Sequence, residues 1–114
     1  MRTVTLQVLS PATAFGPISV ADTAWTRIRG LLGRAMLHAN EGMLIKQCSS
    51  VHTVGMRYPI DIVFLRSDGY VLRVVSGLQP FRLSVCYGAD MVLELSSGRA
   101  QTLQLKPGIQ LFGW

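Results

Sequence analysis

The sequence predicts an α+β fold in which mostly antiparallel strands form a compact curved sheet or barrel-like domain, with one main helix packed across it. Short apolar runs of strand length recur along the chain and are separated by Gly, Pro, Asn and Asp residues. One segment instead carries apolar residues at helical spacing, and one Asp-Gly pair separates two apolar runs in the manner of a hairpin. With 114 residues, positions 1–114 are expected to form a single domain.

The N-terminal segment alternates apolar and polar residues. Val4, Leu6 and Val8 fall on one side of the segment from Thr3 to Leu9, which predicts a half-buried strand. Pro11, Gly16 and Pro17 then predict a loop, with a short second strand from Ile18 to Val20.

The main helix is predicted to follow Asp22 or Thr23, because either side chain can accept a hydrogen bond from the free N–H groups of a first helical turn. Gly33 is a suitable end, since glycine adopts the left-handed conformation cheaply. Apolar residues from Ala21 onward recur at i, i+3, i+4 and i+7 spacing and predict one buried stripe. They are Ala21, Ala24, Trp25, Ile28, Leu31 and Leu32.

The clearest turn is Asp68-Gly69, which lies between the predicted strands Ile60–Arg66 and Tyr70–Val75. The first of these strands is apolar on both faces, so we expect it to be central and Asp61 to be buried. Residues Gly77–Gly88 are predicted to be irregular. Further strands are predicted at Met43–Cys48, Met91–Ser96 and Ile109–Phe112, and a helical turn at Arg99–Gln104.

Composition limits the classes of function. No apolar run has the roughly 18 residues that a membrane-spanning helix needs, and the N-terminus lacks the unbroken apolar segment of a signal peptide. We therefore expect no membrane association, a cytoplasmic location, and reduced thiols at Cys48 and Cys86. The net charge of +5 comes from nine Arg and two Lys against six acidic residues, and the arginines are scattered. They favour solubilising charge, with a functional basic face as the alternative.

The most informative polar residues are His52 and Asp61. If Met56-Arg57 forms a two-residue reversal, His52 faces Asp61 with Cβ atoms about 5 Å apart. A buried carboxylate needs hydrogen-bond donors, here expected from the Gly55–Tyr58 loop, Thr53, Arg57 or His52. The pair could be the orienting half of a general-base site or a structural brace that holds the loop.

Other chemistry has weaker support. Glu94 lies between Leu93 and Leu95, either on a solvent face or in a cleft shared with His52 and Asp61. Cys48 and Cys86 favour inert buried thiols over a catalytic dyad. Two Cys and two His at no recognised ligand spacing predict neither a metal nor a cofactor.

Seven short motifs are spread along the chain: Ala21–Thr23, Arg29–Arg34, Glu41–Leu44, His52–Met56, Pro59–Leu65, Pro80–Arg82 and Val92–Leu95. Taken together, they resemble those of the uncharacterised bacterial and archaeal domain-of-unknown-function family 192. The resemblance spans nearly the whole chain and implies a compact, strand-rich domain with one helix laid across it. It implies no reaction, cofactor or partner, but its motif positions indicate where a site should be sought. A departure from the family pattern is Gly108-Ile109, where the family usually has Gly-Asp.

Three functions remain open. The first is a small soluble binding or accessory domain, whose small-molecule or protein ligand would contact the loop near His52 and Asp61. The second is a hydrolase-like enzyme that uses His52 as base and Asp61 as orienter, with Glu94 as a further catalytic candidate. The third is weak nucleic-acid binding through the arginines. The candidate ligand-binding residues are His52, Thr53, Met56, Arg57 and Arg82.

Overall fold

The computed structural model describes residues 2–9, 12–21 and 40–114. The predicted main helix lies outside these ranges, apart from Ala21, which is the last residue of a strand. The described elements are β1 (Thr3–Leu9), β2 (Ala12–Ala21), β3 (Gly42–Lys46), β4 (Ser50–His52), β5 (Ile60–Leu65), β6 (Val71–Leu78), β7 (Leu83–Val85), β8 (Met91–Ser96), α1 (Arg99–Thr102) and β9 (Leu111–Phe112). This part of the chain is rich in strands and has one short helix, so α+β describes the fold only approximately.

Seven strands form one sheet in the order β6-β5-β8-β3-β2-β1-β9, and β4 pairs with β7 in a separate two-stranded sheet. β2 and β3 are parallel, whereas the other pairs are antiparallel. The prediction of a mostly antiparallel fold is confirmed.

The large sheet curls until its two ends meet. At the first residue of β6, the backbone N–H of Val71 donates to the carbonyl of Ile109 at 2.8 Å, and the N–H of Leu111 in β9 donates to the carbonyl of Gly69, which precedes β6, at 3.0 Å. These bonds join the β5–β6 hairpin to the opposite edge of the sheet and produce a half-barrel. The expected curved sheet is therefore present.

The sheet separates two apolar cores. Val63, Leu93 and Leu95 belong to the first core, which also takes in Ala100 of α1, and Ile62 and Val92 belong to the second. Every residue of β5 is buried, as expected for a strand that lies between two neighbours and is covered on both faces. Because side chains alternate along a strand, Asp61 faces the first core and Glu94 faces the second.

The predicted loop around Gly16-Pro17 is wrong. These residues form a bulge inside β2: Val4 pairs with Ile18 and Leu6 with Phe15, so two residues of β2 oppose one of β1. A bulge accommodates proline because the ladder is interrupted there. Glycine and proline therefore mark an irregularity within the strand at this position, and the strand continues through it.

Candidate functional site

The predicted pairing of His52 with Asp61 is wrong. His52 in β4 pairs with Leu83, whereas Asp61 in β5 pairs with Leu95, and the two side chains form no hydrogen bond with each other. The segment between them does not form a tight hairpin, because β4 leaves the large sheet and pairs with β7 instead. Pro59 has no N–H to donate to the ladder that the predicted register required.

Asp61 obtains its hydrogen bonds from the backbone. Its Oδ1 accepts the N–H of Gly77 at 2.8 Å, and its Oδ2 accepts the N–H groups of Gly98 and Ala100, each at 3.0 Å. The residue is completely buried. The need for donors was predicted correctly, but the donors are on β6 and at the start of α1, since Asp61 faces the first core. Both carboxylate oxygens are thus engaged in joining three segments of the fold.

Thr53 holds together the two segments that follow β4 and precede β7. Its Oγ1 donates to the carbonyl of Gln79 at 2.6 Å and accepts the N–H of Arg82 at 2.8 Å. Its backbone N–H donates to the carbonyl of Arg82, and its carbonyl accepts the N–H groups of Met56 and Phe81. Thr53 is completely buried, so these bonds are shielded from water. It therefore acts as a rigid support and does not offer its hydroxyl to a ligand from solvent.

The other predicted ligand-binding residues separate into two groups. Met56 is buried in the second core. His52, Arg57 and Arg82 are exposed. The structure thus leaves the imidazole and both guanidinium groups accessible around the support that Thr53 provides.

Sequence reasoning did not select the apolar side chains that surround Thr53. Val54 is 53% exposed, Phe81 is 66% exposed and Leu83 is 70% exposed. Val54 directly follows Thr53, Phe81 bonds to the Thr53 carbonyl, and Leu83 lies opposite His52. We call His52, Val54, Phe81 and Leu83 the arm face. The available signal was the presence of large apolar residues in the Gly77–Gly88 segment. The prediction that this segment is irregular is wrong in part, because β6 extends into it to Leu78 and it contains β7, whose Leu83 is exposed.

Phe81 is held in an uncommon backbone conformation. Its φ is +60°, a region that residues other than glycine adopt rarely. The backbone bonds of Phe81 and Arg82 to Thr53 maintain this geometry. The aromatic side chain therefore projects into solvent from a well-determined backbone.

Glu94 does not share a cleft with Asp61, because the two face opposite sides of the sheet. Its cross-strand neighbours are Met43 on β3 and Ile62 on β5. It is 6% exposed, and burial raises the pKa of its carboxyl to about 7. The predicted alternative of a solvent-facing Glu94 is wrong as well.

Cys48 and Cys86 are both free and lie on neighbouring segments. The N–H of Cys86 donates to the carbonyl of Ser49 at 3.0 Å, and both cysteines are partly buried against the second core. An open groove of about 550 Å³ passes Cys48, and its lining includes Lys46, Asp90 and Trp114. The Asp90 carboxylate already accepts the N–H of Ser67, and none of His52, Asp61 and Glu94 lines this groove.

Two kinds of feature are absent from the described part of the chain. Among residues 2–9, 12–21 and 40–114, no cluster of three or more His, Cys, Asp or Glu side chains has a geometry that could hold a metal ion. In the same part of the chain, no helix is long and apolar enough to cross a membrane.

The fold and the site together define a curled, strand-rich domain whose buried aspartate organises the backbone and whose exposed polar and apolar groups surround Thr53. The chain belongs to the domain-of-unknown-function family 192, described as an uncharacterized ACR, whose family model matches residues 8–112. The family carries no established activity, and no curated protein matches the chain.

Solved structures show the same fold. A protein of unknown function from Novosphingobium aromaticivorans DSM 12444 is similar to 98% of this chain over 84% of its own length, with 26% identity and a TM-score of 0.82. A protein of Sinorhizobium meliloti 1021, described as a "putative transcription regulator", is similar to 96% of this chain over 91% of its own, with 24% identity and a TM-score of 0.84. A "putative exported protein" of Burkholderia pseudomallei K96243 is similar to 98% of this chain over 24% of its own length, with 14% identity and a TM-score of 0.53.

Proposed function

We propose that this protein is a small binding domain and that its ligand contacts the arm face. The observation that carries the proposal is the joint exposure of Val54, Phe81 and Leu83 around the buried support of Thr53. Exposed apolar side chains that cluster on a surface are typical of interaction sites. Hydrogen bonds to Thr53 hold the backbone of the face, so binding would cost little conformational entropy.

A hydrolase that uses His52 and Asp61 receives less support. A base and its orienting carboxylate must share a hydrogen bond. The carboxylate oxygens of Asp61 instead accept the backbone N–H groups of Gly77, Gly98 and Ala100. Glu94 is on the other side of the sheet from Asp61, so the three candidates do not converge. The cytoplasmic location predicted from the sequence remains a prediction.

The binding proposal can be tested by selecting ligands for the intact chain from a random-peptide library and measuring their affinity for single variants. Leu83→Ser and Phe81→Ser should weaken binding by about tenfold or more, as at central interface positions. Leu9→Ser is the matched control, because Leu9 is 69% exposed on β1 and is no part of the arm face. Equal effects of Leu83→Ser and Leu9→Ser would overturn the proposal.

The hydrolase alternative is tested with a panel of chromogenic esters, phosphate esters and glycosides. We expect no turnover that depends on His52. Turnover by the wild type that His52→Ala abolishes, with the variant still folded, would replace the binding proposal with an enzymatic one.

A further inference from the structure

The two segments that form and flank the arm face carry charges of a single sign. The two segments that form and flank this face, residues 47–60 and 69–89, contain no Asp or Glu. They contain three arginines, Arg57, Arg73 and Arg82, and all three are exposed. These two segments are therefore positive, although the arginines are scattered along the chain as a whole.

Two of these arginines donate hydrogen bonds to backbone carbonyls of the segment that carries Phe81 and Leu83. Arg82 donates from Nη1 to the carbonyl of Phe81 at 3.3 Å, and Arg73 donates from Nη1 to the carbonyl of Val85 in β7 at 3.1 Å. Arg57 is three residues beyond Val54 in the loop that follows β4. Within the described ranges, none of the three forms an ion pair, whereas Arg66 is paired with Asp68 at 2.8 Å. Their charges are thus available to an anionic ligand.

We propose that the ligand of the arm face is a polypeptide segment that combines acidic side chains with large apolar ones. This inference rests on the proposed function and specifies its partner. The apolar part would cover Val54, Phe81 and Leu83, and the carboxylates would pair with Arg57, Arg73 and Arg82. Complementary charge would fix the orientation of the segment and increase its association rate, while the apolar contacts would supply most of the affinity.

Two other anionic partners fit the same surface less well. Single-stranded nucleic acid gains affinity by stacking its bases on aromatic side chains, but Val54 and Leu83 are aliphatic. The Arg82 guanidinium is bonded to the backbone carbonyl of Phe81, so a membrane that took up the Phe81 side chain would also have to take up this charge. Burial of a charge in lipid is costly. A polypeptide can present carboxylates and apolar side chains at the spacing that the face requires.

The test uses the intact protein and five fluorescent probes. Three are short peptides of equal length: one alternates Glu with Leu and Phe, one has Ser in place of the apolar residues, and one has Lys in place of Glu. The others are a single-stranded oligonucleotide and vesicles of phosphatidylcholine with phosphatidylserine. We expect the acidic–apolar peptide to bind about tenfold more tightly than either altered peptide, and its affinity to fall as salt is raised.

Variants separate the parts of the inference. Arg82→Glu should weaken the acidic–apolar peptide by about tenfold or more, and Lys106→Glu, which changes the net charge equally at an exposed position outside both segments, should not. Equal loss in both variants would mean that only net charge matters and would overturn the inference.

Tighter binding of the oligonucleotide or the vesicles than of the acidic–apolar peptide, weakened by Leu83→Ser, would overturn the partner class but keep the arm face as the binding site. If no probe binds, the inference about the partner fails, and the binding proposal is then decided by the peptide selection. If a probe binds and Leu83→Ser has no effect, both proposals fail.

Discussion

Asp61 accepts a hydrogen bond from the backbone N–H of Ala100, 39 residues away, at 3.0 Å. The same oxygen accepts the N–H of Gly98, the residue that precedes α1. The other oxygen accepts the N–H of Gly77, so this carboxylate connects β5, the far part of β6 and the helical turn. A family motif position that attracts attention as a catalytic candidate therefore has a clear structural role.

Substitution of Asp61 by asparagine should destabilise the fold strongly. The amide offers one acceptor oxygen and one NH2 group, so at least one buried backbone N–H would face a donor. We expect a loss of about 2–4 kcal/mol in the free energy of unfolding, measured with urea, because buried unsatisfied donors carry their full desolvation cost. Asp90→Asn is the control: Asp90 is exposed and accepts the N–H of Ser67, so water can replace it. Similar losses in the two variants would contradict the role assigned to Asp61.

The stability of the protein should depend on the protonation of Glu94. Its pKa is about 7 in the folded chain against an ordinary value of 4.5, and the cause is burial. Between pH 4.5 and 7 the unfolded chain ionises this carboxyl while the folded chain keeps its proton. Stability from this group is therefore complete below pH 4.5, falls as the pH rises, and is lost above pH 7, with a total change of about 3 kcal/mol.

Glu94→Gln isolates this effect because glutamine does not titrate. The free energy of unfolding of the variant minus that of the wild type should increase by about 3 kcal/mol between pH 4.5 and pH 8. Urea unfolding at a series of pH values measures the difference. A difference that stays constant with pH would show that Glu94 titrates normally.

Thr53→Val should release the loop that carries Phe81 and Arg82. Valine has nearly the same shape but neither donates to the Gln79 carbonyl nor accepts the Arg82 N–H. We expect a loss of about 1–3 kcal/mol in the free energy of unfolding and faster hydrogen exchange at the Arg82 amide. In the control Thr102→Val, an exposed hydroxyl loses only its bond to the Gly98 carbonyl. Unchanged exchange at Arg82 in Thr53→Val would be inconsistent with the supporting role.

Gly69→Ala should open the half-barrel where the sheet ends meet. The φ of Gly69 is +89°, and an added Cβ would collide with the carbonyl oxygen of Leu111 and the ring of Trp114. Gly88→Ala is closely matched, since its φ is +92° and its added Cβ would meet nothing. Both variants have the backbone cost of a left-handed alanine, but Gly69→Ala should lose about 1–3 kcal/mol more because of the collision. Thermal unfolding of both variants measures the difference, and equal melting temperatures would contradict the close packing of Gly69 against Leu111 and Trp114.

Much of the fold could be predicted because it follows from local patterns. The alternation of Val4, Leu6 and Val8 indicates β1, and Asp68-Gly69 indicates the β5–β6 hairpin; both are present. The apolar character of both faces of β5 predicts a central strand; β5 does lie inside the sheet between β6 and β8, but it is next to the edge strand β6 and not at the centre. The candidate site was less predictable, because the positions of His52 and Asp61 depend on strand pairing between distant segments.

By itself, the sequence determined the approximate positions of β1, β3, β5, β6 and β8, that Asp61 would be buried and need donors, and which family the chain belongs to. Such properties depend on side-chain spacing and composition within a few residues. Only the tertiary structure decided that Asp61 bonds to Gly77, Gly98 and Ala100, and that His52 faces Leu83. It also decided that the scattered arginines and apolar residues of two distant segments meet on one face. Many registers satisfy the same local pattern, and only the packing of the whole chain selects among them.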